Sequence, residues 1–297
     1  MDKPSLVVTG GSGLIGSAFI GKAESTYAIS NLDITEGVDI TDARQVEEMI
    51  AASPAGVVVH FAAFADVSAA HRQNGDTQGL CYRLNVLGTR NVAAACKRAG
   101  KHLLHLSTDF VFDGESDDPY TEESPTHPIE WYGATKLMAE DEVHASGCSS
   151  TIARIGFPYT AQPAPKVDLV RFMLGKLRAG EKVRAISDQI ITPTYIDDIV
   201  DSLLLLCEQP AAGETFHLSG STSLSPFELA LAVAKGFDLD PRLIESYTLA
   251  KHLAVDPRPR QRCLRVSNAK WSAFAEAHGL PRPCTIEQGL NRMKLAG

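Results

Sequence analysis

Tyr132 and Lys136 stand four residues apart in Tyr132-Gly133-Ala134-Thr135-Lys136, a spacing that puts a phenol and an ammonium on one helix face. A free phenol titrates near pH ~10, too high to trade a proton readily at neutrality, and a nearby cation favours the phenolate. Reaching working pH takes a shift of about three units, roughly 4 kcal/mol of differential stabilisation. Such a pair can give a proton to a carbonyl oxygen while hydride reaches its carbon. Thr108, in Ser107-Thr108-Asp109, closes an apolar run and offers a second hydrogen bond to the same oxygen. Alone, Tyr-x-x-x-Lys recurs by accident on exposed helices; a glycine loop upstream gives it weight.

That loop is Thr9-Gly10-Gly11-Ser12-Gly13-Leu14-Ile15-Gly16. It reads as GxxGxxG (Gly10, Gly13, Gly16) or as GxGxxG (Gly11, Gly13, Gly16), between a predicted strand and a predicted helix. Glycine there permits the tight turn and the close approach of backbone to a pyrophosphate at a helix N-terminus. Asp33 follows Gly13 by twenty residues, at the end of the second predicted strand. An acid in that place accepts from the adenosine ribose and repels a 2′-phosphate, so a nicotinamide cofactor is expected, NAD(H) over NADP(H). No lysine or arginine stands in the loop. Asp39, in Asp39-Ile40-Thr41-Asp42, is either an adenine-side contact or part of a helix cap.

The elements that must position these residues alternate. Strands are expected at Leu6–Thr9, Tyr27–Leu32, Gly56–Phe61, His102–Ser107, Ser150–Ile155 and Glu214–Leu218. Helices are expected at Leu14–Ser25, Asp42–Ala52 with Asp42 as cap, Cys81–Ala99, Ile129–Ala145, Val167–Arg178 and Ile196–Glu208. Strands alternating with helices predict an α/β, Rossmann-type, doubly wound parallel sheet. Pro158, Pro163 and Pro165 mark a loop where this regularity weakens. The expected organisation is a dinucleotide-binding domain over 1–160, receiving elements from about 185–220, and a small, mostly helical, discontinuous cap over 161–297.

Composition sets the outer limits. The 297 residues are 44% hydrophobic and 22% charged, with a net charge of −8, which describes an ordinary soluble chain and argues against nucleic acid as a partner. No apolar run approaches a membrane span and the N-terminus makes a poor signal peptide, so a cytoplasmic protein is expected. The six cysteines are scattered without a CxxC, and His102 and His105 are three apart in a strand, on opposite faces. Neither disulfides nor a bound metal is expected.

Taken together, the chain resembles an extended short-chain dehydrogenase/reductase over nearly its whole length. The Thr9–Gly16 loop, His60-Phe61-Ala62-Ala63, Asn85-Val86-Leu87-Gly88-Thr89 and Tyr132–Lys136 fall in that family's order. Ser107-Thr108-Asp109-Phe110-Val111-Phe112-Asp113-Gly114 is similar to the signature of the dTDP-4-dehydrorhamnose reductase group, as are Trp131–Glu140 and Asp188-Gln189 leading to Thr192-Pro193-Thr194. The resemblance implies a catalytic triad of Thr108, Tyr132 and Lys136. It implies cofactor contacts from Gly10, Gly13, Leu14, Ile15, Gly16, Asp33, Asp39, Ile40, Phe61, Ala62, Ala63, Asn85 and Ser107, together with Tyr132 and Lys136.

A nucleotide-sugar substrate would meet Thr108, Asp109, Phe110, Thr192, Arg258 and Arg260. The resemblance also implies a sheet of about seven strands and a homodimer formed through a bundle of the helices carrying Asn85–Ala99 and Tyr132–Ala145. The tail departs from the group's pattern at Arg258-Pro259-Arg260-Gln261-Arg262-Cys263-Leu264-Arg265, where a leucine-aspartate pair is usual. Arg258 or Arg260 could clamp a diphosphate there, or belong to a proline-stiffened connector. The expected activity is reduction of the keto group of a nucleotide-linked 4-keto-6-deoxy sugar. The alternatives are an epimerase on the same fold and a non-catalytic NADP-binding regulatory subunit like that of methionine adenosyltransferase. Dehydration is disfavoured because Asp109 is followed by Phe110, not glutamate.

Overall fold

The computed structural model describes residues 3–162 and 166–296, so the loop expected at Pro163 and Pro165 lies outside the described residues. The chain divides into two compact units. The first gathers the chain up to Val111 with Thr126–Arg154 and Val200–Phe216; the second gathers Phe112–Pro125, Ile155–Ile199 and the chain from His217.

In the first unit β1 (Ser5–Thr9) leads through the glycine loop into α1 (Leu14–Ala23), then β2 (Ala28–Leu32), α2 (Ala43–Ala52) and β3 (Val57–His60). Two short helices, α3 (Val67–His71) and α4 (Leu80–Tyr82), precede a π-helical turn, Arg83–Gly88, and α5 (Thr89–Ala99). After β4 (His102–Thr108) come α6 (Trp131–Ser146) and β5 (Ser150–Ile155). The sheet runs β2-β1-β3-β4-β5 and ends on the strand Thr215–His217. β1 pairs in parallel with β2 on one side and β3 on the other, and β3 with β4. Strand order therefore reverses at β1 and β3, the point where open α/β sheets leave a crevice at their carboxyl ends.

Among the described residues the sheet has six strands, where the resemblance implied about seven. Val183–Ile186 pairs with Ile244–Tyr247 in a separate two-stranded sheet of the second unit. That unit also holds the pair Pro158–Tyr159 with Thr194–Tyr195, so it is less purely helical than expected.

The element ends follow local chemistry. Asp42 caps α2 by accepting from the backbone N–H groups of Arg44 and Gln45, at 3.0 and 3.1 Å. Gly100 and Gly147 end α5 and α6 in the left-handed region, φ 65° and 63°. Under the sheet, Val7, Val58, Val92, Cys96, Leu103 and Val143 form one buried cluster. The second unit has its own core, built around Tyr159, Met173, Leu229, Val233 and Leu290.

Candidate active site

Two glycines of the loop, Gly10 and Gly16, are required by neighbouring backbone, and a third, Gly11, is crowded only by side-chain ends. Gly10 sits at φ 70°, and a Cβ there would lie 2.4 Å from the Ala62 backbone nitrogen. At Gly11 it would lie 2.4 Å from the Asn31 side chain, and at Gly16 2.3 Å from the Gly10 carbonyl oxygen. Gly13 is different: its nearest neighbour would be 3.4 Å away, so the protein does not need this position bare. It is the N-cap of α1 and supplies no side-chain cap. The first-turn N–H groups, those of Leu14 and Ile15 among them, thus keep their donors for an incoming anion.

Beside the loop lies a cavity of about 420 Å³, of the size that holds a small ligand. Gly10, Ser12, Gly13, Asp33, Asp39, Ile40, Phe61, Ala62 and Ala63 all line it. Leu32, Ile34, Val38, Leu80 and Leu84 complete its wall, and no lysine or arginine is among the lining residues. Asp33 is buried, and its carboxylate accepts from the Ser12 N–H at 3.0 Å, the Ser12 hydroxyl at 2.9 Å, and the Thr35 N–H and hydroxyl at 2.9 Å. Burial alone would raise its pKa; these donors outweigh burial and hold the carboxyl below its ordinary value. Asp39 lines the cavity and accepts from the Thr41 N–H and hydroxyl, at 2.8 and 2.9 Å, in the turn ahead of α2, whose cap is Asp42.

The reacting groups gather at the carboxyl end of β4. Glu130 caps α6, accepting from the N–H groups of Tyr132 and Gly133 at 2.9 and 2.5 Å. Gly133 lets the turn after β4 come close, since a Cβ there would fall 2.2 Å from the Phe110 carbonyl oxygen. Phe110 packs edge-on against the Tyr132 ring, centroids 5.9 Å apart. The Thr108 hydroxyl donates to Asp109 at 3.2 Å, and the Thr108 side chain is near enough to the Tyr132 phenol to favour its ionised form. Thr108, Tyr132 and Lys136 are therefore brought together by β4 and α6.

In the protein by itself, burial outweighs the cation in setting the state of the phenol. Burial first, and then the charge of Glu130, push the Tyr132 phenol well above its ordinary value. Lys136 turns its ammonium to the Leu106 carbonyl oxygen, 2.7 Å away. Burial brings Lys136 down to about 8, against the opposing charge of Glu140. Burial likewise pushes the Asp109 carboxyl up to about 7, and its Oδ2 finds no hydrogen-bond partner among the described residues.

Three expected side-chain contacts are spent elsewhere. Asn85 is fully buried, accepting from the Phe64 N–H at 2.7 Å and donating to the Thr135 hydroxyl at 2.9 Å. Ser107 donates to Glu140 at 2.5 Å, and Glu140 in turn holds Arg154 in a buried ion pair at 2.7 Å. In the second unit, the Thr192 hydroxyl is buried on Ser223, the Leu264 carbonyl and the Val266 N–H, at 2.8, 2.9 and 3.2 Å. These are braces: each satisfies a buried polar group that would otherwise be costly. Arg258 and Arg260 flank Asp256 in that unit, at 3.9 and 3.3 Å. The sequence reading missed Ser12, Thr35 and Glu130. A carboxylate directly before the Tyr-x-x-x-Lys helix was the one visible signal, for Glu130.

A sheet with its reversal at a glycine loop, an acid at the next strand end and a Thr–Tyr–Lys group on β4 and α6 defines a short-chain dehydrogenase/reductase type of protein. The RmlD substrate binding domain model matches residues 4–282, and the chain belongs to that family. It is 31% identical to a dTDP-4-dehydrorhamnose reductase of Mycobacterium tuberculosis over 273 residues, 90% of this chain and 86% of that one. It is 30% identical to a probable low-salt glycan biosynthesis reductase of Haloferax volcanii, covering 97% of each chain. A dTDP-4-dehydrorhamnose reductase of Bacillus anthracis, solved in complex with NADP, superposes with a TM-score of 0.88 at 25% identity, over 99% of this chain and 100% of that one.

Proposed function

We propose that this protein reduces the keto group of a nucleotide-linked 4-keto-6-deoxy sugar, with Tyr132 as proton donor. The observation that carries the reading is the meeting of Thr108, Tyr132 and Lys136 in the same unit as the glycine-loop cavity. The residues fit a dinucleotide: Gly13 is bare where no neighbour of its own requires it, and the α1 N-terminus keeps its donors. A bound nicotinamide supplies the hydride that reaches the carbonyl carbon. Tyr132, held protonated by its buried setting, gives its phenolic proton to the carbonyl oxygen, and the product is the alcohol. Thr108 hydrogen-bonds that oxygen and fixes the carbonyl. The Lys136 ammonium, anchored on Leu106, keeps donors for the phenolate left behind and for the ribose of the cofactor.

NADH is the preferred donor in this reading. An ionised, buried Asp33 with no base in the cavity wall would face a 2′-phosphate with like charge. The first unit then serves as the dinucleotide-binding domain and the second as the sugar-nucleotide domain, with Arg258 and Arg260 for its diphosphate. Among the described residues no helix is long and apolar enough to cross a membrane, in keeping with a cytoplasmic reductase. A homodimer through α5 and α6 completes the proposal, and light scattering of the purified protein tests it.

The deciding experiment titrates the protein with NADH and NADPH by fluorescence, then follows absorbance at 340 nm with a dTDP-linked 4-keto-6-deoxyhexose. Tight NADH binding with substrate-dependent oxidation is expected. Binding without oxidation of any such sugar would overturn the catalytic reading in favour of a regulatory subunit.

A further inference from the structure

His105 lies on β4 directly below this site, and its side chain is fully buried. Its Nε2 is 3.5 Å from Lys136 Nζ, the same ammonium that donates to Leu106. Its Nδ1 has no hydrogen-bond partner among the described residues. An imidazole buried with one nitrogen unpaired costs free energy that a leucine in the same place would not. The ring is also held still. It lies against His60, centroids 5.3 Å apart, and both His60 nitrogens are bound, Nδ1 to the Thr9 hydroxyl at 2.6 Å and Nε2 to the Thr89 hydroxyl at 3.0 Å. β1, β3 and α5 thus clamp a pair of rings under one lysine.

We propose that His105 is a positioning residue for Lys136, presenting a fixed acceptor nitrogen that holds the ammonium in place and stabilises its charged form. The inference rests on reading Lys136 as the lysine of the reducing site. Burial first, then the charge of Lys136, then His60 and His144, keep the His105 ring neutral; an ammonium can only donate, so the nitrogen facing it, Nε2, is the one assigned the lone pair. Burial drives the other way at Lys136, stripping water from the ammonium; Glu140 from α6 and Cys81 from α4 oppose it, and in the proposed role the acceptor nitrogen 3.5 Å away on His105 joins them. The second contact, the Leu106 carbonyl, fixes the ammonium from β4 itself. His60 cannot take over this role because neither of its nitrogens is spare.

The test uses cofactor-free protein carrying 13Cε-labelled lysine, with the Lys136 signal assigned by its loss in Lys136→Met. In His105→Leu the Lys136 titration midpoint should fall by about one pH unit, a tenfold loss of proton affinity. Turnover should fall about tenfold, on the modest end of the scale for lost acid–base assistance, and the limb of the pH–rate profile belonging to Lys136 should move with the midpoint. His105→Gln, which keeps an acceptor oxygen, should restore both. An unchanged midpoint in His105→Leu overturns the proposal. If that variant fails to fold, the wild-type ring decides: long-range 15N spectra should place the His105 proton on Nδ1, and a proton on Nε2 overturns the proposal equally. Full turnover by Lys136→Met would instead remove Lys136 from the reducing site, a separate failure that leaves the two spectroscopic results standing.

Discussion

Asp33 accepts hydrogen bonds from both the backbone N–H and the hydroxyl of Ser12, so the carboxylate that would read the cofactor's ribose also braces the glycine loop. Charge selection and loop geometry therefore depend on a single side chain. Asp33→Ala should weaken NADH binding at least about tenfold, the scale of a lost charge-assisted hydrogen bond, and should shift preference towards NADPH. Ser12→Ala keeps the backbone contact and should cost much less. Fluorescence titration with both cofactors checks this, and an unchanged NADH-to-NADPH ratio in Asp33→Ala would remove Asp33 as the selector.

Tyr132→Phe should lower turnover by at least ~100-fold, the usual scale for a lost general acid, while NADH binding stays nearly intact. Steady-state kinetics beside a cofactor titration separates the two effects. Near-normal turnover would take tyrosine out of the mechanism.

Acid should unfold this protein through its buried imidazoles. Burial first, then the charge of Lys136, lower His60 to about 3 from 6.5. As pH falls below 6.5 the unfolded chain gains a proton at His60 that the native state refuses until about 3. Stability is thus complete above the unfolded value and is lost across that window, by about 1.4 kcal/mol per pH unit. His105 acts in the same direction. Urea unfolding between pH 7 and 5 should show a slope shallower by about one proton in His60→Gln than in the wild type; parallel slopes would contradict the assignment.

Gly10→Ala should both destabilise the fold and abolish cofactor binding, because its Cβ would meet the Ala62 backbone at 2.4 Å and its φ is 70°. Gly37, at φ 78° with open space around it, is the control. Gly37→Ala carries only the backbone strain, about 1–2 kcal/mol. Thermal melts and NADH titration of both variants make the comparison, and similar behaviour would mean that the close approach at Ala62 is not what Gly10 provides.

Glu140→Ala should cost roughly 3–5 kcal/mol, as when one partner of a buried ion pair is removed. It removes the Glu140 carboxylate from its buried ion pair with Arg154 and leaves the Ser107 hydroxyl without that acceptor. Chemical denaturation of the variant measures it, and a loss under 1 kcal/mol would show that water reaches Arg154.

Much of this is legible in the sequence alone. The glycine loop, Asp33, Asp42 as a cap and Tyr132 with Lys136 are local patterns whose spacing carries their geometry, and each stands where spacing put it. Asn85, Ser107 and Thr192 mark the boundary of that method. A polar side chain in an apolar stretch reads alike whether it meets a ligand or another buried group, and only packing distinguishes the two. The direction of the Lys136 ammonium was hidden for the same reason, since its partners lie on β4, thirty residues earlier in the chain. The six strands expected from the residue pattern are those of the main sheet, and the seventh comes only with the family resemblance; Val183–Ile186 and Ile244–Tyr247, which the pattern does not mark, pair with each other outside that sheet.

The π-helical turn at Arg83–Gly88 acts as a phase shift. An α-helix advances about 100° per residue, so one residue of extra winding puts the chain after the turn out of step with the chain before it. Cys81, ahead of the turn, packs with Ala70 and Trp131, whereas Val92, Ala93 and Cys96, after it, pack under the sheet. A regular helix would have to choose one of these registers. Deleting a single residue from the turn would wind α4 and α5 into one register, and Asn85 would lose its alignment with Phe64 and Thr135.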